Sequence, residues 1–318
     1  MGAAARKPAA QPARLGLIGA GAWGRNYVRT LAGMTDACLA RMACHAPESA
    51  YLAPESAFTL DWRELIGAGD LDGVIVATPP ALHFEMAAAA IQAGLGLIVE
   101  KPLTRHADEA EALRAMAERH HAVVVVDHVL LFHPAFAALQ ARLPELGAIR
   151  RVRCACIGAG PASFRADIPP FEDFAPHAYA QALAIAGAPV VGFAARRLLN
   201  RRVGEGREEL VSVALEFAGG AVGEVIAGNR LEGRERWLEV EGEAGRAVFS
   251  DLAPEPLRID LGEGWAAVPA AGEAPLARAV TTLLAGLRGE APPHLGLGLG
   301  ADVVNLMALA RKQLEEGS

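Results

Sequence analysis

The sequence predicts an α/β protein of two domains, a parallel α/β domain followed by an α+β domain of mostly antiparallel strands. Its 318 residues exceed the usual size of a single domain. In the first part, short apolar runs alternate with helical stretches, which is typical of β-α-β units. Further on, strand patterns follow one another with few helices between them. We therefore expect a disordered tail over 1–13, a first domain over 14–128 and a second domain over 129–318.

Five parallel strands are expected in the first domain. Each run is apolar throughout, as in a sheet that helices cover on both faces. The runs span 15–18, 39–44, 74–77, 97–99 and 123–126. A helix after Pro80 is expected to stop at Gly94, because glycine readily takes the left-handed conformation of a C-cap. Thr104 suits the N-cap of the next helix, since its hydroxyl can accept a hydrogen bond from a free backbone N–H.

Six strands are expected in the second domain, joined by turns that contain glycine. They span 149–157, 190–199, 209–217, 221–227, 237–241 and 247–250. Their succession predicts a meander of long antiparallel strands. Two helices, over 276–287 and about 301–314, are expected to close the chain.

Composition excludes several classes of protein. Hydrophobic residues make up 52% of the chain, but no run approaches the roughly 18 apolar residues that a membrane span requires. The formal net charge of −7 argues against nucleic-acid binding, which needs clustered positive charge. The first residues lack the apolar segment of a signal peptide, and four cysteines are too few for a disulfide framework. We expect a cytoplasmic protein with no membrane or nucleic-acid partner.

Two local clusters have a simple and a functional interpretation. Cys154 and Cys156 offer two thiolates to a metal, but on a strand they fit small apolar residues of one face, so no metal site is expected. A group of arginines is either a solvated strand edge and turn or a phosphate site. These are Arg196, Arg197, Arg201, Arg202 and Arg207.

A glycine-rich turn follows the first strand and precedes a helical stretch. Its residues are Gly19, Ala20, Gly21, Ala22, Trp23 and Gly24. In this context Gly19 permits the tight turn, Gly21 lets a pyrophosphate approach the backbone, and Gly24 allows close helix packing. The helix N-terminus stabilises the negative charge of the phosphates. The segment predicts a Rossmann domain that binds a dinucleotide.

The acidic residue that usually contacts the ribose hydroxyls, about 20 residues further on, is absent. Cys44 and His45 occupy that place. Because no carboxylate repels a 2′-phosphate there, the cofactor is either NAD or NADP, and His45 or Arg41 is a candidate phosphate contact.

Two more segments stand at the carboxyl ends of predicted parallel strands, where open α/β sheets bind ligands. The first contains Thr78, Pro79 and His83, and the second contains Glu100 and Lys101. All five are candidate cofactor-binding residues. The proline after Lys101 favours an extended backbone, which directs the ammonium toward the nicotinamide end of the crevice. From spacing alone, a solvated lysine is an equal alternative.

The segments GLIGAGAWG, ATPPALH and VEKPLT, in this order, resemble those of the Gfo/Idh/MocA oxidoreductase family. The segment FEDFAPH resembles the family's Asp-x-x-x-His motif, and PLARAVTTLLAGLRG and GADVVNLMALARKQLEEG resemble its last two helices. The resemblance covers nearly the whole chain. It implies a Rossmann domain and a C-terminal domain whose large open sheet often forms the subunit interface. A homodimer or homotetramer is expected on that basis.

The same resemblance implies three catalytic residues. Lys101 would hydrogen-bond the reacting hydroxyl, His177 would be the general acid/base, and Asp173 would position the substrate or the proton-transfer network. Pro176 suits the first position of a helix, which would place His177 in the first turn, where the dipole disfavours imidazolium. A helix-capping or core histidine is the alternative interpretation of His177.

Two departures from the family pattern concern the substrate. Segment 127–134 replaces the common Tyr-Asn-x-Arg and resembles the variant of branches that act on nucleotide-linked sugars, with a histidine at the position of His128. Ala178 and Ala180 stand where many relatives carry an aspartate. His128 and Arg165 are candidate substrate contacts, although Arg165 fits an exposed strand end better.

Together these features predict an NAD(P)-dependent oxidoreductase. It would transfer a hydride between the nicotinamide and a secondary hydroxyl or ketone of a sugar, cyclitol or sugar derivative, nucleotide-linked sugars included. A reductase of another carbonyl or imine is an alternative, since the fold alone does not fix the substrate. A non-catalytic regulator that senses dinucleotides is another, but the presence of Lys101, Asp173 and His177 together argues against it.

Overall fold

A computed structural model describes residues 11–160, 168–204, 206–290 and 296–316. Within these residues the chain forms a six-stranded sheet and an eight-stranded sheet. This is the predicted order of a parallel α/β half and a mostly antiparallel half. No helix in the described part of the chain combines the length and the apolar character that crossing a bilayer demands.

The first sheet is parallel throughout and has the strand order β3-β2-β1-β4-β5-β6. Its strands are β1 Ala13–Ile18, β2 Ala37–Ala43, β3 Ala57–Thr59, β4 Gly73–Val76, β5 Gly96–Glu100 and β6 Val124–Asp127. The order reverses direction between β1 and β4, so a ligand crevice is expected there, at the carboxyl ends. The sequence did not predict β3, because three partly exposed edge residues give no apolar run.

Four helices connect these strands. They are α1 Gly24–Ala32, α2 Trp62–Ile66, α3 His83–Gln92 and α4 Ala107–His120. Gly94 follows α3 with φ +74°, as expected of a left-handed glycine. The predicted cap of α4 is wrong: its N-cap is His106, and the Thr104 hydroxyl instead donates to the His106 carbonyl at 2.8 Å.

The second sheet has the order β14-β13-β12-β11-β7-β10-β9-β8. Its strands are β7 Ile149–Ala159, β8 Val190–Val203, β9 Gly206–Phe217, β10 Val222–Arg230, β11 Glu235–Gly242, β12 Arg246–Phe249, β13 Leu257–Asp260 and β14 Ala266–Ala267. The expected meander is only partly correct, because β7 lies in the middle and pairs in parallel with β10. The sequence did not predict β13 and β14.

The remaining helices are α5 Pro134–Arg142, α6 Pro170–Ala186, α7 Pro275–Leu287 and α8 Leu297–Glu316. Helix α6 packs on β7 and β10 and covers one face of the second sheet. Cys154 and Cys156 are buried in the hydrophobic core between α6 and the second sheet, as expected of small apolar residues on one face of a strand. In the described part of the chain, no group of three or more metal-ligating side chains occurs.

The last two helices pack back on the first domain. The chain is therefore not divided simply at residue 128, as the sequence predicts it to be. Helix α7 packs on β5 and β6, and its Val280 and Leu283 share a core with Leu15 and Ile75. Helix α8 lies between α4 and α6. It therefore forms a wall that both sheets share.

The arginine cluster lies along the edge strand β8 and the start of β9. Arg201 pairs with the buried Glu208, and Arg207 lies 3.4 Å from Glu209. The Nε of Arg197 is 3.9 Å from the same Glu209 carboxylate. These ion pairs favour the interpretation as a strand edge.

Candidate active site

A cavity of about 750 Å³ opens at the carboxyl edge of the first sheet. The glycine turn and the β4 and β5 ends form one side of it, and helices α6 and α8 form the other. Its lining combines charged side chains, such as Lys101 and Arg311, with apolar ones, such as Phe174 and Met307. Its position matches the crevice that the reversal of strand order predicts.

The glycine turn has the backbone that its sequence predicts. Gly19 has φ +95°, and a Cβ there would lie 2.6 Å from the Ala77 carbonyl oxygen. A Cβ on Gly24 would lie 2.0 Å from the Gly19 carbonyl oxygen. A Cβ on Gly21, in contrast, would meet nothing within 4 Å, and Gly21 lines the cavity. Space is therefore kept beside this backbone at the N-terminus of α1, which fits the pyrophosphate of a dinucleotide.

These glycines give a matched pair of variants. Gly24→Ala is expected to destabilise the protein by about 1–3 kcal/mol, because the new methyl overlaps backbone that cannot move aside. Gly21→Ala is expected to keep the melting temperature of the wild type but to weaken NADH binding about tenfold, since its methyl occupies the cofactor's space. Thermal unfolding and quenching of NADH fluorescence measure the two effects. Equal stability of the two variants would contradict the assigned roles of these glycines.

The end of β2 carries no acidic side chain, as the sequence indicates. Cys44 is buried and His45 is exposed. The position of Arg41 does not support the expected phosphate contact, because its guanidinium pairs with Asp70 at 2.6 Å. Asp70 precedes β4 at the amino edge of the sheet, where it also binds Arg14. The two arginines hold the pKa of Asp70 at about 2.

The segment after β4 forms part of the cavity wall, but only two of its three candidate cofactor-binding residues line the cavity. Thr78 and Pro79 line the cavity. His83 does not, because its ring is fully buried, with Nδ1 2.9 Å from the Pro102 carbonyl oxygen and Nε2 2.8 Å from that of Thr78. The expected contact of His83 with the cofactor is thus replaced by a structural one. His83 joins the loops after β4 and β5, on which Lys101 depends.

Lys101 and Asp173 meet across the cavity although 72 residues separate them. The Lys101 ammonium donates to Asp173 Oδ1 at 2.9 Å and to the Asp173 backbone oxygen at 2.8 Å. Both side chains are less than one-fifth exposed. His177 lies one helical turn beyond Asp173 on the same face of α6 and also lines the cavity. The three residues that the motifs single out are thus brought together.

The pKa of His177 is lowered, as expected, but the reason expected for it is wrong. Helix α6 begins at Pro170, so Pro176 lies inside the helix and His177 is beyond its first turn. The Glu209 carboxylate accepts a hydrogen bond from the Phe171 N–H, which helps the helix to start early. The pKa of His177 lies well below 6.5, first because the surrounding protein withdraws most of the ring from solvent and then because Lys101, His128 and Arg236 are nearby.

Two buried acids, Glu100 and Asp127, lie side by side under the cavity. They are paired in register on β5 and β6, and Tyr27 donates a hydrogen bond to Asp127. Burial, and next the neighbouring carboxyl group, raises the pKa of Glu100 well above its usual range. Sequence reasoning missed Tyr27 and Asp127. The adjacent carboxyl ends of β5 and β6 were the available signal for Asp127.

The substrate role expected for His128 is not supported by its position. The side chain is 1% exposed, and its residue does not line the cavity. Burial is the main cause that lowers the pKa of His128 to about 3. Arg165, the other expected substrate contact, lies outside the described residues.

Burial of neutral His128 predicts a measurable loss of stability in acid. The unfolded chain takes up a proton near pH 6.5 and the folded chain only near pH 3, so this stability is present above pH 6.5 and is lost as pH falls. At pH 5 the loss amounts to about 2 kcal/mol. Urea unfolding at pH 7 and pH 5 should therefore show a smaller acid loss for His128→Leu than for the wild type. His45→Gln, at an exposed position, is the control; equal pH slopes in all three proteins would contradict the prediction.

Comparison with known proteins finds relatives that share this fold. A family model described as the Gfo/Idh/MocA oxidoreductase family with an NAD-binding Rossmann fold matches residues 13–128. The crystal structure of a protein from Magnetospirillum magnetotacticum MS-1 is 34% identical, with a TM-score of 0.85 over 93% of this chain and 99% of that one. The structure of UDP-N-acetylglucosamine 3-dehydrogenase GnnA from Acidithiobacillus ferrooxidans is 25% identical, with a TM-score of 0.84 over 96% and 98% of the two chains.

An inositol 2-dehydrogenase of Rhizobium meliloti strain 1021 is 26% identical over 273 residues, which are 80% of this chain and 81% of that protein. The matches extend over both sheets, and the candidate catalytic residues lie where the two sheets meet. The chain belongs to the Gfo/Idh/MocA family of oxidoreductases, and its first domain is an NAD-binding Rossmann fold.

Proposed function

We propose that this protein is an NAD(P)-dependent dehydrogenase that oxidises a secondary hydroxyl of a sugar, cyclitol or sugar derivative, or reduces the matching ketone. The observation that carries the proposal is the Lys101–Asp173 ion pair with His177 one turn away, in a cavity beside the glycine turn. A sensor protein has no need of this constellation.

Each of the three residues has a role in the proposed reaction. Lys101 donates a hydrogen bond to the substrate oxygen and stabilises the alkoxide as it forms. Neutral His177 accepts the hydroxyl proton. Asp173 holds the Lys101 ammonium in place through the 2.9 Å contact. A bound NAD(P) would supply the hydride acceptor that oxidises the carbon to a ketone, and the proton released from the hydroxyl would remain on His177.

The cofactor is proposed to lie along the glycine turn, with its ribose near Cys44 and His45 and its nicotinamide beside Thr78, Pro79 and Lys101. The residues of the glycine turn, Gly19 to Gly24, would enclose the pyrophosphate. Because no carboxylate stands at the end of β2 to reject a 2′-phosphate, both NAD and NADP are accepted candidates.

The cavity walls favour a polyhydroxylated substrate. Arg105 and the Glu172–Arg311 ion pair supply hydrogen-bonding groups, while Trp23 adds an aromatic side chain to the lining. Two of the similar proteins are named as dehydrogenases of a nucleotide-linked sugar and of inositol. We therefore place the substrate in the same class, with nucleotide-linked sugars included.

Purified protein incubated with NAD or NADP and a panel of sugars, inositols and nucleotide-linked sugars tests the proposal. Formation of reduced nicotinamide, followed by its absorbance, is the expected result with at least one member of the panel. Reduced cofactor that binds tightly, with no turnover of any member or of its ketone, would instead support the sensor.

We also propose a cytoplasmic homodimer or homotetramer that assembles through the uncovered face of the second sheet. This face carries Arg153 between Glu224 and Glu239, with Trp237 against the guanidinium. Light scattering measures the oligomeric state, and a monomer at micromolar concentration would contradict the proposal.

A further inference from the structure

At the ends of β5 and β6 and on α6, an unusual number of buried polar side-chain atoms have no hydrogen-bond partner among the described residues. Eight buried side-chain atoms have no hydrogen-bond partner among the described residues, and all lie at the β5 and β6 ends or on α6. Buried polar atoms almost always have partners, in the protein or in ordered water. The residues concerned are Glu100, Asp127, His128, His177, Tyr179 and Gln181.

Three of these residues, the catalytic histidine among them, lie on α6 or beside the turn that packs against it. Gln181 lies one turn beyond His177 on the same face of α6, and long side chains in helices generally lean back toward the helix N-terminus. His128 directly precedes the short 3₁₀ turn Val129–Phe132, against which α6 packs. Both His128 and Gln181 are 1% exposed. The unsatisfied atoms are Nδ1 of His177, both ring nitrogens of His128, and the amide nitrogen and oxygen of Gln181.

The chemistry of a general base requires a partner at this position. Nδ1 of His177 is the buried nitrogen, so Nε2 is the one open to the cavity. To accept a proton at Nε2, the neutral ring must carry its own proton on Nδ1. A buried Nδ1–H without an acceptor would favour the opposite tautomer, which has no lone pair for the substrate.

His128 and Gln181 can supply that acceptor through a water molecule. A neutral imidazole has one donor and one acceptor, and a primary amide has both kinds of group. Buried waters typically make about three hydrogen bonds to polar groups that otherwise have none. The three side chains lie on α6 or beside the turn packed against it, His128 is close enough to His177 to lower its pKa, and their buried polar atoms have no hydrogen-bond partner among the described residues.

We propose that His128 and Gln181 are positioning residues that together hold a buried water, and that this water accepts the Nδ1 proton of His177. The water fixes the tautomer in which Nε2 is free to act as base. This inference rests on the proposed role of His177 as general acid/base.

Other charged groups also act on the His177 ring. Lys101, with its partner Asp173, lies on the cavity side, and Arg236, with its partner Asp251, lies on β11. The positive charges of Lys101 and Arg236 both lower the pKa of His177. A neutral acceptor therefore suits this site, because a carboxylate behind Nδ1 would act in the opposite direction.

The tautomer can be measured without any substrate. Long-range ¹H–¹⁵N correlation spectra of the full chain, labelled at histidine, should show His177 protonated on Nδ1 at neutral pH; His177→Asn assigns the signal. In His128→Leu and Gln181→Met, a mixture of both tautomers is expected. Tyr179→Phe, which removes another unsatisfied buried group on α6, is the matched control and should keep the single tautomer. A wild-type ring protonated on Nε2, or one tautomer in both test variants, overturns the proposal.

Turnover provides a second test. A purely structural role of His128 and Gln181 would not produce a loss confined to kcat that a conservative variant restores. His128→Leu and Gln181→Met are each expected to lower kcat about tenfold with KM unchanged, and His128→Asn should restore most of the loss. Gln181→Glu should move the acid limb of kcat/KM to higher pH. An unmoved limb, or a loss that only KM reports, contradicts the proposal. Failure of the panel of sugars with the tautomer results intact would reject the proposed function and leave the positioning of His177 standing.

Discussion

Lys101→Met is expected to lower the turnover number by roughly 10² or more, while the protein still binds the dinucleotide. The side chain is 17% exposed, and Asp173 fixes its ammonium with two hydrogen bonds. A fixed positive charge in a cavity that excludes most water stabilises a forming alkoxide far more than it would in water. Methionine keeps the length of the side chain and removes the charge. Steady-state rates of nicotinamide reduction and NADH fluorescence quenching measure the two quantities.

Lys312→Met is the matched control, because Lys312 lies on α8 with 73% of its side chain exposed and only a 4.0 Å contact to Glu316. It should retain wild-type turnover. Lys101→Arg is not expected to rescue the activity, since a planar guanidinium does not replace a compact ammonium. Wild-type turnover in Lys101→Met would exclude Lys101 from the chemistry.

Asp173→Asn tests how much the ion pair with Asp173 contributes to holding the Lys101 ammonium in place. The amide oxygen can still accept a hydrogen bond from Lys101, but the ion pair is lost. We therefore expect a smaller loss of turnover than in Lys101→Met. A larger loss would mean that Asp173 has a direct role in proton transfer.

Local chemistry explains what the sequence predicted well. The requirement for glycine at Gly24 arises within one turn, from the 2.0 Å contact that a Cβ would make with the Gly19 carbonyl oxygen, and Gly19 is required by its own φ of +95°. Likewise, the position of Lys101 at a strand end follows from the apolar run before it. Features whose cause lies within a few residues are visible in the order of residues alone.

Features with a distant cause were missed or misread. The early start of α6 depends on Glu209, which lies 38 residues beyond Phe171. The motif marks His83 and His128, but only packing decides that their rings are buried instead of facing the cavity. The return of α7 to the first sheet is equally invisible, since its apolar face fits either core.

His177→Asn is expected to lower turnover by about 10²–10⁴, because the variant has no group that can accept the substrate proton. NADH binding should change little, since the glycine turn lies outside α6. The same assays as for Lys101 measure both effects. Full turnover in this variant would leave His177 as a core residue and would require another base.

The pH dependence of the wild type gives an independent test of the same role. Burial, aided by the charges of Lys101 and Arg236 and by His128, lowers the pKa of His177 well below 6.5, so the ring stays neutral as the pH falls through the usual range of histidine titration. A base that works in its neutral form then keeps kcat/KM for oxidation constant from neutral pH down past 6.5, and the acid limb appears only below that value. An acid limb above pH 7 would show that the base of the free enzyme has a pKa above that of an exposed histidine. That result would be incompatible with a base buried in the position of His177.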